Sequence, residues 1–436
     1  MRAHWRTRTG FIIAAAGSAV GLGNIWRFPY MAGENGGAAF ILIYLALIFT
    51  LGFSVLMAEQ AMGRASQHSP VRAFRSLKGG FWPVFGMIGV LTAFVILPFY
   101  SVVGGWTLGY IWKSIEGVAR EKGAFGAFIS DGGLTILFHA IFMAMTIWIV
   151  HSGVRNGIEK WTRVLLPLLL VLLILLAIRV LLLPGAEKGI EFFFSPDFSK
   201  VTEDTIHAAL SQAFFSLSLG MGVMITYGSY MSREKPLAGD AASVVGLDSM
   251  VAILAGLVIL PAVFAFGLDP KAGPSLTFIT LPEVFAQMPG GKIFGVLFFL
   301  MLTVAALTSS ISLLEVVTAH LEDEYQLSRV PTSIGAGLLM FLLGIPCALS
   351  FGAMSDVTLF GMTFFDLMDY LSGKILLPLG AMGITFFVGW VAWSRVVQEL
   401  NGEQGGIPGW ASLWRLMCAV IAPLLILWIM FEGIAG

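Results

Sequence analysis

Apolar residues run along this chain in long blocks separated by short polar stretches. A helix needs about 20 apolar residues to cross a bilayer core. Eleven blocks reach about that length: near 8–32, 38–62, 83–113, 134–151, 161–183, 206–231, 241–267, 292–320, 332–351, 360–394 and 411–432. Two of them are interrupted. In the first, Gly17 to Pro29 reads GSAVGLGNIWRFP, which sets Gly21, Gly23, Asn24 and Arg27 at mid-depth. Each glycine weakens a helix interior by about 1 kcal/mol, and polar groups are costly there. Freed backbone in lipid is tolerated only where it lines a cavity or meets a ligand, so this segment predicts half of a binding site. In the sixth block, Ser218-Leu219-Gly220-Met221-Gly222 makes a similar break. Two glycine-broken helices, each opening a block of five, predict an all-α polytopic membrane fold of eleven transmembrane helices with a five-plus-five inverted repeat. Repeat one spans about 8–183 and repeat two about 206–394, with an extra helix at 411–432, in one transporter domain over 1–436. The connections 114–133, 184–205 and 268–291 are long enough to cap one face, the last with a short helix after Pro282.

Composition agrees with this pattern: 57% of residues are hydrophobic, 12% are charged and the mean hydropathy is +0.88, outside the soluble range. A formal net charge of −1 gives no reason to expect nucleic acid. The positions of the positive charges are more informative. Arg2, Arg6, Arg8, Arg64, Arg72, Arg75, Lys78, Arg155, Lys160, Arg163, Arg233, Lys235, Arg329, Arg395 and Arg415 fall on one side, which predicts a cytoplasmic N-terminus. An odd helix count then sends the C-terminus outside. The basic N-terminus leads into an apolar segment without a small-residue cleavage pattern, so no cleavable signal peptide is expected. Cys347 and Cys418 lie in apolar runs without metal-ligand spacing, and His139 and His151 stand alone near expected helix ends. No catalytic set forms, and an enzyme is not expected.

The stretches GSAVGLGNIWRFPYMAGENGGAAF (17–40), EQAMGR (59–64), the Tyr100 to Gly109 segment ending WTLG, QAFFSLSLGMG (212–222), ALTSS (306–310) and HLEDE (320–324) resemble the neurotransmitter:sodium symporter family, in its order and over the first ten helices. The chain is most similar to the bacterial amino-acid transporters of that family. The resemblance implies two Na⁺ sites. The first would use the Ala19 carbonyl, Asn24, Ser216 and Asp248; the second would use the carbonyls of Gly17, Val20 and Ala305 with the hydroxyls of Thr308 and Ser309. Chloride-dependent relatives generally have Asn where this chain has Asp248, so no chloride requirement is expected. The substrate's carboxylate would meet the amides of Leu22 and Gly23 and the hydroxyl of Tyr100. Its ammonium would lie near Ala19, Phe215 and Ser216, with Ser218 nearby. Ile96, Phe215, Met221 and Leu313, with Ser310 at the edge, would select a neutral, hydrophobic, possibly aromatic L-amino acid.

The same resemblance implies two gates. Arg27 would pair with Asp369 above a Phe215 lid, with Gln212 beside it. Arg2 would pair with Asp323, with Trp5 as a plug and Tyr230 as a brace. Gly157 and Pro167 would form a hinge in the fifth helix, and Glu59 would be a buried acid serving the broken helices. The expectation is a sodium-coupled symporter working by alternating access. A proton-coupled carrier using Asp248 and a non-transporting amino-acid sensor are the alternatives.

Overall fold

The computed structural model of the chain describes residues 3–435 except 120, 122, 272 and 274. Nine of the described helices are long and apolar enough to cross a membrane. They are Ala38–Ser66, Pro83–Glu116, Gly132–His151, Val154–Leu181, Ala238–Ala265, Gly291–Tyr325, Arg329–Leu349, Phe364–Val391 and Ala411–Gly433. A bent pair, Arg8–Ala19 and Gly23–Glu34, meets at 51° and forms the first span. Glu203–Ser216 and Val223–Gly228 flank a non-helical stretch and complete the sixth, so the eleven-span architecture holds.

Both breaks lie where glycine was expected to open the helix. At the second, Ser218, Gly220 and Gly222 have φ of 54°, 80° and 73°. That region suits glycine and is strained for serine. Gly89 of the third span permits close packing against this break, since a Cβ built on it would lie 3.2 Å from the Gly222 backbone nitrogen.

The eighth span, Gly291–Tyr325, is the axis of the molecule, with 83% of its most apolar stretch buried, against 17% for the eleventh span. It packs along the third span, and the broken helices lie across it. All three long connections carry short helices, Ala124–Ser130, Ala186–Phe194 and Leu281–Gln287, the last with Pro282 in its first turn.

Two expectations are corrected. The fifth span begins at Val154, not near 161, because its first turn is a polar π-helical stretch, Val154–Glu159, that hydropathy does not register. His139 lies inside Gly132–His151, buried and stacked on Phe341 at 4.8 Å, with Nε2 3.1 Å from the Phe341 carbonyl.

Candidate functional site

The last carbonyls of a helix lack donors within it. At the end of Arg8–Ala19 these are free to meet other elements. Ser18's carbonyl accepts from Ser218 Oγ at 3.0 Å and from Ser309 Oγ at 3.1 Å, tying spans one, six and eight at one atom. Thr308 Oγ1 donates to the carbonyls of Ala305 at 2.9 Å and Val20 at 3.4 Å. Gly17 faces Thr308 closely, with a built Cβ 3.7 Å from its side chain. Gly17, Val20, Ala305, Thr308 and Ser309 are thus neighbours. A hydroxyl that donates to a carbonyl keeps lone pairs for a cation.

A second group of oxygens gathers beside the break. Asn24 Nδ2 donates to Ser216 Oγ at 2.9 Å and to Asp248 Oδ1 at 2.7 Å, while Asn24 Oδ1 accepts from the Gly21 amide at 3.0 Å. Ser216 Oγ donates to Asp248 Oδ2 at 2.8 Å. Asn24 and Asp248 are wholly buried, so three spans commit polar groups to one small volume. Tyr44 joins them, its hydroxyl 3.3 Å from Ser216 Oγ and 3.4 Å from Asp248 Oδ2. It escaped sequence reasoning because a lone tyrosine in an apolar block looks like core.

The Leu22 amide, at the positive start of the second half-helix, donates to Tyr100 Oη at 3.5 Å. A Cβ on Gly21 would lie 2.5 Å from Ser309 Oγ and 3.1 Å from Tyr100 Oη, so a larger residue there must displace those hydroxyls. Ile96 is one turn before Tyr100, and Leu313 one turn after Ser309. Both are buried, as is Met221 in the sixth-span break. Ser310 is fully buried, and its hydroxyl meets Thr146 of the fourth span at 2.8 Å. Glu59 Oε1 accepts from the Gly220 amide at 2.7 Å, so this buried acid does serve a broken helix.

A cavity of about 790 Å³ runs from Leu22 and Tyr100 past Arg27 and Phe215 to Asp369, Lys374 and Glu432. The expected Arg27–Asp369 ion pair is not made. Arg27 donates to Gln212 Oε1 at 3.3 Å and Ser211 Oγ at 3.1 Å and lies 4.9 Å over the Phe215 ring. Asp369 lies across the open cavity from these partners. Gln212 also donates to the Gly23 carbonyl at 2.8 Å, which fixes it beside Phe215.

The face carrying the N-terminal segment is closed. Trp5 is 8% exposed, and its indole donates to the Tyr227 carbonyl at 3.0 Å. Arg2 lies outside the described residues, and so does its pairing with Asp323; Asp323 Oδ2 accepts from the Ser69 amide at 2.7 Å. Tyr230 donates to Glu315 at 2.6 Å, and Glu315 pairs with Arg329 at 2.5 Å. Neither Glu315 nor Arg329 was expected to pair, because the contact is made between two spans across the turn that joins them. Gly157 lies in the π-helical turn, and Pro167 is inside the helix that follows.

Residues 2–121 and 127–436 match the sodium:neurotransmitter symporter family. The sodium-dependent transporter YhdH of Bacillus subtilis is 41% identical over 99% of this chain and 97% of its own length. MJ1319 of Methanocaldococcus jannaschii, also named a sodium-dependent transporter, is 31% identical over 99% of this chain and 90% of its own. The crystal structure of MhsT in complex with L-phenylalanine superposes with a TM-score of 0.90 at 46% identity, covering 99% of this chain and all of that one.

Proposed function

The chain belongs to the sodium:neurotransmitter symporter family, and from that premise we propose that it imports a neutral hydrophobic L-amino acid, aromatic ones included, with Na⁺ and without chloride. The observation that carries this reading is the convergence of Asn24, Ser216 and Asp248 beside the Leu22 amide and Tyr100. The carboxylate of Asp248 supplies beside one Na⁺ the negative charge that an anion would otherwise bring. A second Na⁺ would lie among the carbonyls of Gly17, Val20 and Ala305 and the hydroxyls of Thr308 and Ser309. The substrate's carboxylate would take the Leu22 and Gly23 amides and the Tyr100 hydroxyl. Gly21 leaves no room for a protein carboxylate, which supports a substrate that brings its own. Ile96, Phe215, Met221 and Leu313 disfavour a charged side chain, and the phenylalanine complex of MhsT supports an aromatic one.

The distribution of positive residues supports a cytoplasmic N-terminal face and an outside C-terminus, and with that orientation the cavity would open outward. Na⁺ would complete the site, substrate would draw Phe215 and Arg27 over it, and loss of the second Na⁺ would release the N-terminal face. Each coupled charge contributes about 2.3 kcal/mol per 100 mV. The test is binding of labelled Leu, Met, Phe, Tyr and Trp to purified protein in NaCl, sodium gluconate and KCl. Equal binding in the two sodium salts and none in KCl is expected; equal binding in KCl would remove sodium coupling.

A further inference from the structure

A second cavity, of about 350 Å³, lies where the end of the third span, the short helix Leu281–Gln287 and the start of the eighth span meet. That volume falls within the range of small-molecule sites. Small residues open it: Gly117 ends the third span at φ of 84°, and Gly291 and Gly295 leave the first turns of the eighth without bulk. Phe285, Met288 and Phe299, all buried, make its walls apolar. Phe299 stacks on Phe278 at 5.8 Å, and Phe278 lines the vestibule cavity, so this pair of rings is a partition between the two cavities.

Two polar side chains line this apolar space, and neither has a partner among the described residues. Ser114 is 5% exposed, yet its hydroxyl makes no hydrogen bond there, although a helical serine ordinarily turns back on a carbonyl one turn earlier. Its Oγ lies beside Gly295, 3.2 Å from a Cβ built on that residue. Lys292 is exposed at the mouth and makes no ion pair; its Nζ is 2.9 Å from a Cβ built on Gly117. The surroundings are those of a lipid–water boundary. Trp112 and Ile115, flanking Ser114, and Ile293, next to Lys292, are all exposed. Tryptophan is enriched at that depth, and a lysine there covers apolar surface with its stem while its charge stays near water. No acidic residue lines the cavity, so the ammonium of an amino acid has no counter-charge in it.

We propose that this cavity binds a free fatty carboxylate, its chain against Phe285, Met288 and Phe299 and its head on Lys292 at the mouth. One cavity takes one chain, which favours a single-chain amphiphile over a two-chain phospholipid. An occupant would press on Phe299 from behind and so be felt through Phe278 at the vestibule wall. The site is separate from the amino-acid pocket, and the inference stands whether or not the chain is a transporter. For the test, full-length protein in phosphatidylcholine nanodiscs is photolabelled with a diazirine-bearing decanoic acid or with the matching decanol. Mildly alkaline pH keeps the carboxylate ionised and Lys292 cationic. The acid is expected to label the peptides around 114–119 and 282–299 about five- to tenfold more than the alcohol does, and excess unlabelled decanoate should compete. Lys292→Gln should lose the preference for the acid and keep its melting temperature. Gly295→Leu grows a side chain into the cavity and should abolish labelling by both probes; if it does not fold, Lys292→Gln carries the test. Adding phosphatidylglycerol to the nanodiscs should leave the labelling unchanged. Equal labelling by acid and alcohol, labelling spread evenly over the lipid-facing spans, an unaltered Lys292→Gln, or displacement by phosphatidylglycerol would overturn the proposal. Phenylalanine binding plays no part in this readout, so its failure would leave the transport reading untouched.

Discussion

The two faces of the molecule hold their charges differently. At the vestibule face, Arg27 rests on two side-chain oxygens and an aromatic ring, while Asp369 stands apart across a cavity of about 790 Å³. At the N-terminal face, Glu315 is fully buried and holds Arg329 at 2.5 Å and Tyr230 at 2.6 Å, Arg329 also reaches Glu322 at 3.2 Å, and Arg8 pairs with Asp240. One face is closed by a network of buried charges, whereas the other has its charges in place and its pair unmade. Stability should therefore depend more on the charges of the N-terminal side than on those of the vestibule side.

The largest expected effect tests that directly. Arg329→Ala leaves the Glu315 carboxylate buried without its cation, a loss of about 3–5 kcal/mol. It should appear as a lower melting temperature of the purified protein, largely recovered when Glu315→Leu is added to Arg329→Leu. Next is Trp5→Ala, which empties a site 8% exposed and costs about 3 kcal/mol. Hydrogen exchange across Val223–Gly228 should quicken while the vestibule residues keep their rates. A third change acts between the faces: Gly21→Ala sets a methyl 2.5 Å from Ser309 Oγ and should weaken Na⁺-dependent phenylalanine binding by about 1–3 kcal/mol. Arg27→Ala is expected to be the mildest for stability, about 1–2 kcal/mol, while abolishing uptake into proteoliposomes. If Arg27→Ala lowered the melting temperature as much as Arg329→Ala, the contrast between the faces would fail.

Much of this was legible in the sequence, because membrane helices announce themselves by hydropathy and their breaks by glycine. Gly21, Gly23, Gly220 and Gly222 located both interruptions. Asn24, Ser216 and Asp248 could be grouped only by resemblance, since they lie far apart in the chain and no local pattern joins them. What stayed hidden had one of two causes. Tyr44, Ser18 and Thr146 are residue types that membrane helices commonly turn back on their own backbone or core, so nothing marks them until another span arrives. Glu315 with Arg329, and Arg64 with Glu399 at 3.1 Å, are ion pairs made by packing between elements. The Arg27–Asp369 pairing came by resemblance alone, and in this structure the two side chains line one cavity without pairing.

The eighth span has a further consequence, for the lipid around the protein. With 83% of its apolar stretch enclosed, it offers little surface to acyl chains, while the fourth, fifth, ninth and eleventh spans, 39%, 44%, 44% and 17% enclosed, offer the most. Thr308 and Ser309 are carried on a helix that the bilayer scarcely touches. Changing acyl-chain length or headgroup can therefore act on those hydroxyls only by leaning on the outer helices first, and their surroundings should stay the same in any membrane that leaves the ring of outer helices in place.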